Sequence, residues 1–77
     1  MSPDFARQLP KKFGSTVREL RVAAGLTQMN LAEAADLTHN YVGEIERGEK
    51  LVSLETVVRL ARAFGLSGAE LLKRSGL

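Results

Sequence analysis

From Lys11 to Leu77 the chain contains no proline, so over that whole stretch no residue is obliged to break a helix. Within it one local pattern recurs four times: an apolar residue, then Ser or Thr, then a second apolar residue five positions after the first. The sets are Leu26, Thr27, Leu31; Leu37, Thr38, Val42; Val52, Ser53, Val57; and Leu66, Ser67, Leu71. A Ser or Thr hydroxyl at a helix start accepts a hydrogen bond from an otherwise orphaned backbone N–H, and the flanking apolar pair staples the incoming chain to the helix. Glu70 completes a capping box in the last set. Gly25, Gly48 and Gly65 each follow a stretch of helical periodicity, where a left-handed residue commonly closes a helix, and Gly76 precedes Leu77.

These signals predict five helices, at about residues 11–24, 28–35, 39–47, 54–64 and 68–74. The first lacks a cap signature, but Pro10 suits an opening position, and Phe13, Val17, Leu20 and Ala24 recur at helical spacing. No stretch alternates long enough to pair into a sheet. Residues 1–10 read as a flexible N-terminal arm and residues 11–77 as one domain. With 77 residues only one small core can form, which nearly excludes an enzyme with an extended cleft. The absence of cysteine removes disulfides and thiolate metal sites, and a single histidine cannot build a zinc site. No metal or cofactor is therefore expected, and no pairing of nucleophile and base points to catalysis. No apolar run approaches the roughly 20 residues that span a bilayer, and Met1 to Pro10 lacks the apolar segment of a signal peptide, so a cytoplasmic location is expected.

Between the second and third predicted helices stand only Asp36, Leu37 and Thr38, the length of turn that joins two helices steeply in a helix-turn-helix. Leu31, Ala35, Leu37, Val42 and Ile45 can close a small core around that turn, and Ala32 lets the later helix approach. Thr38, His39, Asn40, Glu44 and Arg47 then fall toward the start or outer side of the third helix, where polar side chains could reach base edges in a major groove.

The run LTQMNLAEAADLTHNYVGEIERG resembles the helix-turn-helix of the Cro and C1-type repressors, and the resemblance extends over about residues 12–73. Tyr41, Val42 and Gly43 with the following Val-Ser-Leu segment are most similar to the controller proteins of restriction-modification systems, a family of operator-binding dimers. The resemblance implies an all-α, five-helix lambda-repressor-like DNA-binding domain, with its motif at about 27–48 and dimerisation helices at about 53–75. It also implies that Thr38, His39, Asn40 and Glu44 face bases, that Arg47 faces a phosphate, and that Gln28 reaches a phosphate or the recognition helix. Thr27 with Gln28 would anchor a backbone position through the helix N-terminus. Arg21 and Glu46 occupy the places of a buried ion pair in this family.

Three departures stand out. Asp36 occupies a position where most members have Gly and where a left-handed backbone is needed, a conformation Asp tolerates at some cost. Gly43 lies inside the recognition helix, at roughly 1 kcal/mol relative to Ala, which a close backbone approach would explain. Residues 25–50 set Arg47 and Lys50 against Glu33, Asp36, Glu44, Glu46 and Glu49, a net −3 within a chain of net +2, so the basic charge lies outside the motif.

Each residue also has a plainer reading. His39 reads DNA or is a solvated first-turn residue; Asn40 pairs with adenine or satisfies local backbone groups; Glu44 accepts from cytosine, repels nonspecific DNA, or is a solvated charge. Tyr41 packs beside the groove or into the core. Lys11, Lys12 and Arg18 neutralise flanking phosphates or form the wet face of the first helix. Leu54, Val57, Val58, Leu60, Ala61 and Phe64 make an apolar arc which, with Leu66, Leu71, Leu72 and Leu77, supplies a dimer seam or packs inward. The expected function is a homodimeric, sequence-specific transcriptional regulator on a palindromic operator in double-stranded DNA, with no small-molecule effector. The alternative is a protein-interaction module or antitoxin-like partner using the C-terminal apolar surface.

Overall fold

The computed structural model describes residues 3–77, and among them every regular element is a helix. In chain order these are α1 (Pro3–Ala23), α2 (Gln28–Ala35), α3 (His39–Glu46), α4 (Leu54–Ala63) and α5 (Gly68–Arg74). Thr27, Thr38, Ser53 and Ser67 are the N-caps of α2 to α5, each in extended backbone, with hydroxyls accepting from the N–H groups of Asn30, Tyr41, Thr56 and Glu70 at 3.0–3.1 Å. Each such cap stabilises its helix by about 1 kcal/mol. The Ser67–Glu70 capping box forms as expected, and a second that the sequence reading missed joins Thr27 to Asn30, whose Oδ1 accepts from the Thr27 N–H at 3.1 Å.

The expected arm is corrected. Met1 and Ser2 lie outside the described residues, but from Pro3 the chain is helical and runs through Pro10. A proline there withdraws one hydrogen bond from the carbonyl of Ala6 and crowds it. The extension has a surface to lie on: Leu9 and Pro10 are half-buried and line an apolar groove with Leu51, Leu72 and Leu77.

Phe13, Val17, Leu31, Val42, Ile45, Leu60 and Leu71 form the core, drawn from all five helices. α1 and α2 each pack on α3, and α4 packs on α2 and α5. The α1–α3 crossing is a backbone contact, because a methyl group built on Gly14 would collide with the carbonyl oxygen of Ile45. Asp36 does adopt the left-handed conformation, at φ 56°, and the Leu37 N–H closes the turn onto the Ala32 carbonyl at 2.8 Å. Arg59 of α4 braces it, its Nη1 donating to the Asp36 carbonyl at 3.1 Å and carboxylate at 2.9 Å.

The apolar arc of α4 divides. Val57, Leu60 and Ala61 are buried and Phe64 packs against the core, whereas Leu54 is 81% exposed and Val58 39% exposed. No helix among the described residues is long and apolar enough to cross a membrane.

Candidate nucleic-acid interface

At about 100° per residue, helix positions i, i+1, i+4, i+5 and i+8 share one face. On α3 and its C-cap these positions are His39, Asn40, Gly43, Glu44 and Arg47. With Val42 and Ile45 buried beneath, that face is left outward, and together with Gln28 it lines an open depression of about 490 Å³. His39, Asn40 and Arg47 are exposed, and Glu44 and Gln28 half-buried.

Of the eight residues singled out from sequence, Gln28, His39, Asn40, Glu44 and Arg47 thus meet in one place. Thr27 and Thr38 are exposed at the starts of α2 and α3, with their hydroxyl oxygens engaged as caps. Tyr41 lies elsewhere: it is half-buried against the core, and its hydroxyl stands 3.5 Å from Thr56 Oγ1 on α4. Its hydroxyl therefore reaches from α3 toward α4.

Gly43 belongs to the depression. It has no backbone crossing it; a methyl group there would meet side chains, Arg47 Nη1 at 3.0 Å and Gln28 Oε1 at 3.6 Å. The missing Cβ keeps the centre of this depression open, so the backbone-approach explanation gives way to one in which the glycine shapes the depression. Its spacing of four from His39 and Arg47 was the available signal.

Beneath the depression lies the Arg21–Glu46 pair. Arg21 Nε donates to Glu46 Oε2 at 2.6 Å and Nη2 to Oε1 at 2.9 Å, while Nη1 donates to the Leu26 carbonyl at 2.9 Å. The Glu46 carboxylate is 3% exposed and the Arg21 side chain 13%. The hydrogen bond to Glu46 raises the Arg21 pKa against the opposing effect of burial, so the guanidinium stays charged. Gln28 Nε2 donates to Glu46 Oε1 at 3.1 Å, a bond from the head of α2 to the last turn of α3.

At the other end of the face Arg47 Nε donates to Glu49 Oε2 at 2.7 Å, both side chains being about half exposed. The hydrogen bond raises the Arg47 pKa and holds the Glu49 carboxyl below the usual carboxylate range. Glu44 lies 3.7 Å from Lys50. Acidic side chains therefore engage both cations of residues 25–50, in pairs that water screens. Among the described residues no cluster of His, Cys, Asp and Glu could hold a metal ion.

Residues 12–73 match the model of a family described as a helix-turn-helix domain. Control protein C.SmaI of Serratia marcescens is 43% identical over 61 residues, covering 79% of this chain and 73% of its own length. The crystal structure of the restriction-modification controller protein C.AhdI from Aeromonas hydrophila superposes with a TM-score of 0.77 at 45% identity, covering 80% of this chain and 94% of that one. That of the clp gene regulator ClgR from Corynebacterium glutamicum gives 0.82 at 35% identity, covering 88% and 72%. The chain belongs to the Cro/C1-type helix-turn-helix family of DNA-binding transcriptional regulators, and restriction-modification controller proteins are among the members it is similar to.

Proposed function

We propose that this regulator acts as a homodimer that sets the outer face of α3 into successive major grooves of a palindromic operator, as a controller of a restriction-modification system does. One observation carries the reading: His39, Asn40, Gly43, Glu44 and Arg47 share one face of a helix whose other face is fixed in the core. Asn40 and His39 contact base edges, Glu44 discriminates against wrong sequences by repulsion, and Arg47 leaves Glu49 for a phosphate. The starts of α2 and α3, capped by Thr27 and Thr38, turn their remaining backbone N–H groups to phosphates.

The seam between copies is the apolar groove lined by Leu9, Leu51, Leu54, Leu72 and Leu77. Leu51 is 76% exposed, Leu54 81% and Leu77 45%, uncovered leucines around one groove that a second copy would bury. An isologous dimer through that groove places two recognition helices for half-sites about 34 Å apart. Occupancy then depends on protein concentration through dimerisation, with no small-molecule effector, and the protein works in the cytoplasm where its operator lies.

Selection of bound sequences from a random duplex pool tests the reading. A palindromic motif with two equivalent half-sites is expected, and recovery of no enriched sequence would overturn it. Binding that is insensitive to salt would instead favour a protein-interaction role.

A further inference from the structure

We infer that Arg18 of α1 forms, with Arg47 and Gln28, a subsite for one DNA backbone phosphodiester at the edge of the α3 depression, an inference that rests on the reading of that face as the operator surface. Arg18, Arg21, Gln28, Glu46 and Arg47 line a second depression of about 230 Å³, which Gln28 and Arg47 share with the first. Three helices therefore converge on it, and α1 brings to the motif a charge that the motif lacks.

The charges there do not cancel. Arg21 is matched by Glu46, whose two oxygens are both taken, and Arg47 is matched by Glu49. Arg18 is exposed and makes no hydrogen bond or ion pair among the described residues. Its neighbour Glu19 shares a separate depression with it, but successive residues on a helix do not face each other, and the two form no ion pair. Three guanidinium groups thus stand against two carboxylates, and the surplus is Arg18's. A phosphodiester carries one negative charge and two unesterified oxygens, which suits a guanidinium fork. The Gln28 amide has a second N–H beyond the one given to Glu46, a further donor for the same group.

Sequence alone ranks Arg18 with Lys11 and Lys12, and the fold separates them. Lys12 lines a depression with Phe5, Gln8, Gly76 and Leu77, at the meeting of α1 with the C-terminal residues. Lys11 lies against Gly48, where an added methyl would come within 2.9 Å of its Cγ. Lys12 is thus a control of equal charge in a different place.

The test is equilibrium binding of Arg18→Gln and Lys12→Gln to the selected operator and to an unrelated duplex, across a salt series. Arg18→Gln is expected to weaken both duplexes by the same factor, about eightfold per bound protomer near ~0.1 M salt, and to make the log–log salt slope shallower by about 0.9, the counterion release of one contact. Its melting temperature should equal that of the parent, and Lys12→Gln should leave the slope unchanged. Replacing operator phosphates singly by methylphosphonate should reveal a position that weakens the parent but not Arg18→Gln. An unchanged slope for Arg18→Gln, or an equal loss for Lys12→Gln, would overturn the subsite. Because the slope is also read on an unrelated duplex, the subsite is tested even where selection enriches no motif, a result that sinks the operator reading alone.

Discussion

Arg21 grips the carboxylate of Glu46 through two parallel hydrogen bonds and, with its remaining nitrogen, the carbonyl of Leu26, so that one guanidinium fastens α1 to the last turn of α3 and to the entry of α2. Gln28 adds a hydrogen bond from the head of α2 to the same carboxylate. The outer face of α3 is thereby held from behind by this pair.

Breaking a buried pair from one side leaves an uncompensated charge, at a cost of about 3 to 5 kcal/mol. Glu46→Gln is therefore expected to lower the melting temperature by roughly 12 °C or more for a domain of this size. Thermal unfolding followed by circular dichroism checks it; an unchanged midpoint would mean that the pair contributes nothing to the fold.

What was legible in the sequence was local. Thr27, Thr38, Ser53 and Ser67 announce helix starts because a cap and its staple lie within six residues, and Gly25, Gly48 and Gly65 close helices at φ 72–73° through contacts just as near. The α3 face was legible for the same reason, since helical spacing alone groups His39, Asn40, Glu44 and Arg47. What escaped depends on distant chain. The helix passes Pro10 because Leu72 and Leu77 of the other end lie beside Leu9, and Asp36 is braced by Arg59, 23 residues away. Gly14 looks ordinary until Ile45 is set against it. Tyr41 stands with its hydroxyl 3.5 Å from Thr56 on a later helix, a neighbour no local spacing announces.

The dimer is tested at Leu54, which lines the apolar groove yet is 81% exposed, so a charge there spares the fold. Leu72 is a poorer probe, because it is half-buried against the core. Burying a leucine contributes about 1.5 to 3 kcal/mol, and an isologous seam counts it twice, so Leu54→Glu should weaken dimerisation by more than about 100-fold. Sedimentation should show the parent at twice its 8.4 kDa and the variant as monomer. A parent that stays monomeric at every accessible concentration would remove the seam and the palindrome together.

Gly43→Ala should separate stability from function. Alanine in place of a mid-helix glycine adds about 1 kcal/mol, or about 4 to 8 °C, and the Arg47 side chain that its Cβ would approach at 3.0 Å has room to swing outward. The same methyl stands in the depression lined by His39, Asn40, Glu44 and Arg47. A higher melting temperature with weaker operator binding is expected, and undiminished affinity would show that DNA does not enter the depression.

The face itself is tested by asking which losses depend on sequence. Asn40→Ala and His39→Ala should each cost about 1 to 3 kcal/mol on the selected operator while hardly changing affinity for an unrelated duplex, because base-edge contacts carry sequence information and phosphate contacts do not. Arg47→Ala should weaken both duplexes alike and flatten the salt dependence by roughly one unit, with the unpaired Glu49 adding to the loss by repelling the backbone. Glu44→Gln, which removes a carboxylate 3.7 Å from Lys50, should raise nonspecific affinity. Competition binding with both duplexes resolves all four variants. If the Asn40 and His39 variants lose specific and nonspecific binding in equal measure, then α3 positions the protein on DNA without reading it, and the discrimination resides on another surface.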